Sequence, residues 1–115
     1  MLFWPRAEFQ AARKGWHDVI DADVDESEYY PGLEAKLATL AAEGAHRISI
    51  VPCDVDTFAA HLDQIGEIQP DSASRQDYLD VRYRQGQYLR WPPQRNQPCW
   101  CGAAVKYKKC CGRIA

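Results

Sequence analysis

The chain has 115 residues, 46% of them hydrophobic, with four Trp, six Tyr and three Phe. That is enough apolar material for one compact domain with a small appendage, and it excludes a globally disordered chain. The net charge of −2 hides a division: residues 1–80 carry six Lys/Arg and all sixteen Asp/Glu, a charge of −10, whereas residues 81–115 carry eight Lys/Arg and no acid, a charge of +8.

In chain order, residues 2–4 read as a short strand. Pro5 suits the first position of a helix, on which Phe9, Ala12 and Trp16 fall on one face. Residues 18–28 are acidic and read as a loop. A second helix over residues 31–43 places Leu33, Leu37, Leu40 and Ala41 on one stripe and ends at Gly44. Residues 47–51, Arg-Ile-Ser-Ile-Val, form the strongest strand pattern, and Pro52 ends it. Asp54 or Asp56 then caps a helix to Ile65, and Pro70-Asp71-Ser72 begins another that runs to Gln85.

The expected fold class is α/β, with α+β as the alternative. It is a small β-α-α-β-α-α body over residues 1–87 with a two-stranded sheet, parallel because a helical crossover separates the strands. Residues 88–94 contain Pro92-Pro93 and read as a stiff linker, and residues 95–115 as a separate C-terminal zinc-knuckle module. No run approaches the ~18 apolar residues of a membrane span, and the first six residues have neither a basic nor an apolar signal region. The expectation is a soluble, cytoplasmic protein without membrane insertion.

Four of the five cysteines lie in the last seventeen residues, as Cys99-Trp100-Cys101, an eight-residue gap, and Cys110-Cys111. Thiolates hold Zn²⁺ in a closed tetrahedron with Zn–S near ~2.3 Å, and four of them make a structural site with no open position. The eight-residue gap allows a turn and about one helical turn, which returns the chain to the metal. Zinc is the expected ion and iron the alternative, since tetrahedral sulfur sites accept both. A disulfide or free thiols are the competing readings, and a reducing compartment disfavours the disulfide.

Elsewhere the chemistry is sparse. Asp21, Asp23 and Asp25 resemble the start of an EF-hand loop, but Glu26 stands where that loop needs Gly and Gly32 where it needs Glu. They read as a solvated acidic loop. His17, His46 and His61 are scattered. Cys53 follows a strand and reads as a buried small apolar residue, with an activated redox thiol as the minor alternative. There is no phosphate loop and no nucleophile elbow, so the chain reads as a non-enzyme.

The residues around the cysteines carry a resemblance. Arg95-Asn96-Gln97-Pro98-Cys99-Trp100-Cys101-Gly102, followed by Lys106-Tyr107-Lys108-Lys109-Cys110-Cys111-Gly112, is similar to the SEC-C motif, the zinc-binding tail of the preprotein translocase motor SecA. The resemblance spans residues 95–112 and implies that Cys99, Cys101, Cys110 and Cys111 are the metal ligands. It implies partners of the kind such tails meet, an export chaperone with an acidic surface or the ribosome. Because similar tails end longer proteins, this chain reads as a shortened relative. The family's Gly-Ser-Gly and basic residue after the second cysteine are here Gly102-Ala103-Ala104-Val105. If the family's second glycine has positive φ, Ala104 costs on the order of 1 kcal/mol there.

The cationic tail concentrates Arg95, Trp100, Lys106, Tyr107, Lys108, Lys109 and Arg113 as partner-binding candidates. Cations beside aromatic faces suit an acidic protein surface, and equally the phosphates and bases of RNA or DNA. Two plainer readings compete: Trp100 and Tyr107 pack around the metal, and the basic tail docks on its own acidic body. The reading that results is a metal-binding adaptor whose basic module meets an anionic partner, with a nucleic-acid-binding protein as the alternative.

Overall fold

A computed structural model describes residues 1–16, 24–44, 47–67 and 70–113. The elements run β1 (Leu2–Phe3), α1 (Phe9–Gly15), α2 (Glu26–Ala42), β2 (Ile48–Pro52), α3 (Val55–Ile65), α4 (Ser72–Arg84) and β3 (Leu89–Trp91), followed by a 3-10 turn at Tyr107–Lys109. The β-α-α-β-α-α order predicted for the body is present. His17, His46, Asp21 and Asp23, with most of the acidic stretch before α2, lie outside the described residues.

The helices begin where side chains can satisfy their first N–H groups. Asp54 accepts from the Thr57 N–H at 2.8 Å to start α3. Asp71 and Ser74 exchange side-chain to backbone hydrogen bonds in a capping box that starts α4. The second helix begins five residues earlier than the sequence suggests. Asp25 caps it through the Ser27 N–H, and Glu26 and Glu28 in its first turn complement the positive end of the helix dipole. Pro31, expected to open the helix, therefore lies within it. Residues 26–28, expected in a loop, are helical.

Strands β1 and β2 pair in parallel, Leu2 with Val51 and Phe3 with Pro52, as expected. The sheet has three strands rather than two, because residues 89–91 of the expected linker pair antiparallel with β2, Ile48 with Trp91 and Ile50 with Leu89. The physical reason is the open edge of β2. A two-stranded sheet leaves a row of unpaired backbone groups, and the chain returning from α4 covers them while burying Trp91. Pro52 is tolerated in the central strand because the last β3 pairing is at Ile50, so its missing N–H faces no ladder.

The buried side chains form two clusters. Phe3, Tyr30, Leu37, Ile50 and Trp91 belong to the first, which also includes Cys99, Trp100 and Cys101 from the tail. Trp4, Phe9, Ala12, Cys53, Phe58, Leu62 and Tyr78 form the second, under α1, α3 and α4. Successive residues Phe3 and Trp4 thus point into different clusters, as neighbours on an extended chain do. In the α2 stripe Leu37 is buried and Leu33 and Ala41 pack on the first cluster, whereas Leu40 is exposed. No helix among the described residues is long and apolar enough to cross a membrane.

Candidate metal centre

The tail folds back on itself through backbone pairing. Cys99 N–H donates to Val105 O at 2.8 Å and Tyr107 N–H to Gln97 O at 2.8 Å, so the segments on either side of the Cys-x-Cys turn lie antiparallel. The 3-10 turn follows, and Cys110 N–H closes it on Tyr107 O at 3.0 Å. This places Cys110 and Cys111 opposite Cys99 and Cys101.

The four Sγ atoms all lie within 4.8 Å of one another, and Cys101 Sγ and Cys110 Sγ are 3.6 Å apart. A tetrahedron with metal–sulfur bonds of ~2.3 Å has edges of about 3.8 Å, so the donor set fits one ion. All five cysteines are free, and 3.6 Å is far beyond the ~2.05 Å of a disulfide. Metal ligation needs thiolates, and the cluster is disposed to supply one. A hydrogen bond from Cys111, aided by the Arg6 guanidinium and opposed by burial, holds the Cys101 thiol down at about 4. The same bond pushes Cys111 up, and burial raises Cys99 to about 11.

Two body residues grip the module. Arg6 donates its Nε–H to Cys101 Sγ at 3.2 Å and its backbone N–H to Cys101 O at 3.0 Å, while its guanidinium lies 4.3 Å from the centre of the Tyr30 ring. Glu34, on α2, accepts three donors: Trp100 Nε1–H at 3.0 Å, Trp91 Nε1–H at 3.1 Å, and Tyr107 O–H at 2.8 Å and 3.0 Å to its two oxygens. Indole N–H groups can only donate, so an acceptor at this position is what lets both tryptophans be buried. Trp100 also meets the Phe3 ring edge-on at 5.2 Å.

Local backbone geometry depends on small residues. Gly102 has φ 88° and Ala104 has φ 58°, so the alanine occupies the left-handed region that the sequence comparison with Gly-Ser-Gly anticipates for its position. Gly112 is required by proximity instead, since a Cβ there would lie 2.6 Å from the Tyr107 ring.

The predicted partner-binding residues separate by exposure. Arg95, Lys106, Lys109 and Arg113 are exposed and Lys108 is half-buried, whereas Trp100 is 4% exposed and Tyr107 is partly buried against Glu34. The tail does dock on its own body, but through Arg6 on Cys101 and Glu34 on Trp100 and Tyr107 rather than by the attraction of its cations to the body's acids. Sequence reasoning did not single out either residue, because a lone Arg and a lone Glu carry no motif. Cys53 is buried in the second cluster, where burial raises its thiol well above the ordinary range, and it borders a cavity of about 530 Å³.

Residues 95–113 match the SEC-C motif. Three curated relatives, each a protein translocase subunit SecA of Acinetobacter baumannii (strains AYE, ACICU and AB0057), are 32% identical over 103 residues. The match covers 84% of this chain, so the likeness extends beyond the motif into the body, and the chain spans about a tenth of the length of these relatives, 10%. No solved structure matches.

Proposed function

We propose that this chain, whose residues 95–113 match the SEC-C motif, is a non-enzymatic, zinc-stabilised adaptor that binds an acidic protein surface in the cytoplasm. Cys99, Cys101, Cys110 and Cys111 hold the zinc, which supplies rigidity rather than chemistry, because four sulfurs leave no position for substrate. The partner is of the kind met by SecA-type tails, an export chaperone with an acidic face.

The observation that carries this reading is the division of labour around the sulfur cluster. Trp100 and Tyr107 are held inward on Glu34, while none of Arg95, Lys106, Lys108, Lys109 and Arg113 forms an ion pair among the described residues. Unpaired cations on a rigid support favour association with an anionic surface and set its rate and orientation. Turning the aromatic residues inward favours a protein surface over RNA or DNA, the second reading, since single strands are gripped largely by exposed aromatic faces.

Recovery of partners with the tagged, zinc-loaded chain, with and without nuclease, separates the two. The proposal requires a protein partner that survives RNase and DNase treatment and is lost from a Lys106→Glu/Lys109→Glu variant. Loss of the partner on nuclease treatment overturns it in favour of nucleic acid.

A further inference from the structure

The docked module and the body enclose a groove of about 940 Å³ that neither possesses alone. One wall is α2, through Pro31, Ala35 and Ala38; Trp91 and Pro92 contribute from the sheet edge, and the other wall is the metal loop with Tyr107, Cys111 and Gly112. Arg95, Lys108 and Arg113 line it as well. Its acid among these lining residues is Glu34, whose oxygens are already engaged by Trp91, Trp100 and Tyr107. The groove is therefore apolar in its walls and cationic at its margin.

We propose that this groove seats an extended acidic peptide segment carrying a large apolar side chain, the apolar group lying against Ala35, Ala38 and Pro92 and its flanking carboxylates meeting Arg95, Lys108 and Arg113. This rests on the adaptor reading and makes it specific, since it assigns the body a share of the partner site. Charge complementarity selects an acidic occupant, because the three cations have no ion-pair partner among the described residues. The apolar walls favour a peptide side chain over a nucleic-acid base, because the stacking faces are largely withdrawn: Trp91 is 5% exposed and Tyr107 is partly buried against Glu34. Because Cys111 and Gly112 form one wall, the groove exists only when the metal loop is closed on the body.

The test measures binding of fluorescein-labelled decapeptides to the zinc-loaded chain by fluorescence anisotropy. One peptide has eight Asp/Glu around a central Leu-Phe pair, and its control replaces that pair with Ser-Ser. The Leu-Phe peptide is expected to bind at least tenfold more tightly. An Ala35→Gln/Ala38→Gln variant, which changes no charge and keeps exposed α2 positions helical, is expected to abolish that advantage. Equal binding of the two peptides, insensitivity to the Ala variant, or tighter binding of a ten-nucleotide single-stranded RNA each overturns the groove. Partner recovery by the Ala variant in the nuclease experiment tells the two failures apart: if the natural partner is retained there, the groove fails and the adaptor reading stands.

Discussion

Arg6 and Cys101 are 95 residues apart in the chain, yet Arg6 Nε donates to Cys101 Sγ at 3.2 Å and the adjoining backbone pair closes at 3.0 Å. A cation and a backbone donor from the N-terminal segment thus orient one ligand of the candidate metal centre. Groups of this kind restrain ligand geometry, and their removal typically weakens metal affinity 10- to 100-fold. Arg6→Met keeps a side chain over Tyr30 and removes the donor. Chelator competition should show a fall in zinc affinity in that range, with the helical circular dichroism of the body unchanged.

Glu34 is the second point of attachment. Glu34→Ala leaves two indole N–H groups and one phenol without their acceptor, and hydrogen bonds to a charged group are worth about 1.5–3 kcal/mol each. Because the site is partly open and water can replace some of these bonds, the net loss should be about 3 kcal/mol in urea unfolding. Glu34→Gln keeps an oxygen where both indoles and Tyr107 donate, but loses the charge and sets an amide donor against the Tyr107 hydroxyl, so it should fall between wild type and Glu34→Ala.

Metal removal should be felt by the whole chain. Cys99, Trp100 and Cys101 share a core cluster with Phe3, Tyr30 and Ile50, so the tail is part of the body's interior. One zinc ion per chain is expected by elemental analysis, and Cys101→Ser or Cys110→Ser should abolish it. Free zinc at a thousand times its Kd stabilises the folded state by about 4 kcal/mol. Excess chelator should therefore lower the Tm of a single transition, whereas an unchanged body transition with only the tail released would contradict the shared core.

The turn after Cys101 holds a correctable strain. Ala104 at φ 58° is in the left-handed region, where glycine removes a penalty of about 1 kcal/mol, partly offset by the greater entropy of the unfolded chain. Ala104→Gly should raise the denaturation midpoint or leave it level. Gly112→Ala should do the opposite, because its Cβ would press the Tyr107 ring away from Glu34.

Much of the local structure was legible because it rests on local chemistry. The cap residues Asp54 and Asp71 and the Gly44 stop announce helix ends through side-chain acceptors and permitted φ values. The start of α2 was misread because Pro31 is a stronger sequence signal than Asp25, whose capping is evident only once Ser27 is seen folded beneath it. Residues 89–91 were misread for a related reason. Pro92-Pro93 dominates that stretch, while the attraction that makes it a strand, the open edge of β2, lies about forty residues away in the chain.

The candidate site divides along the same line. Spacing by itself singled out the four clustered cysteines, because two cysteine pairs separated by a short turn have little freedom except to converge. Charge counting likewise established a basic tail on an acidic body. Only the tertiary structure decided which tail residues face inward and what holds them. Arg6 and Glu34 have no periodicity or motif to mark them, and their roles arise from distances that exist only after the sheet has brought both chain ends together. The cysteine cluster is therefore written in the sequence, and its attachment to the body, with the groove that attachment creates, is a property of the fold.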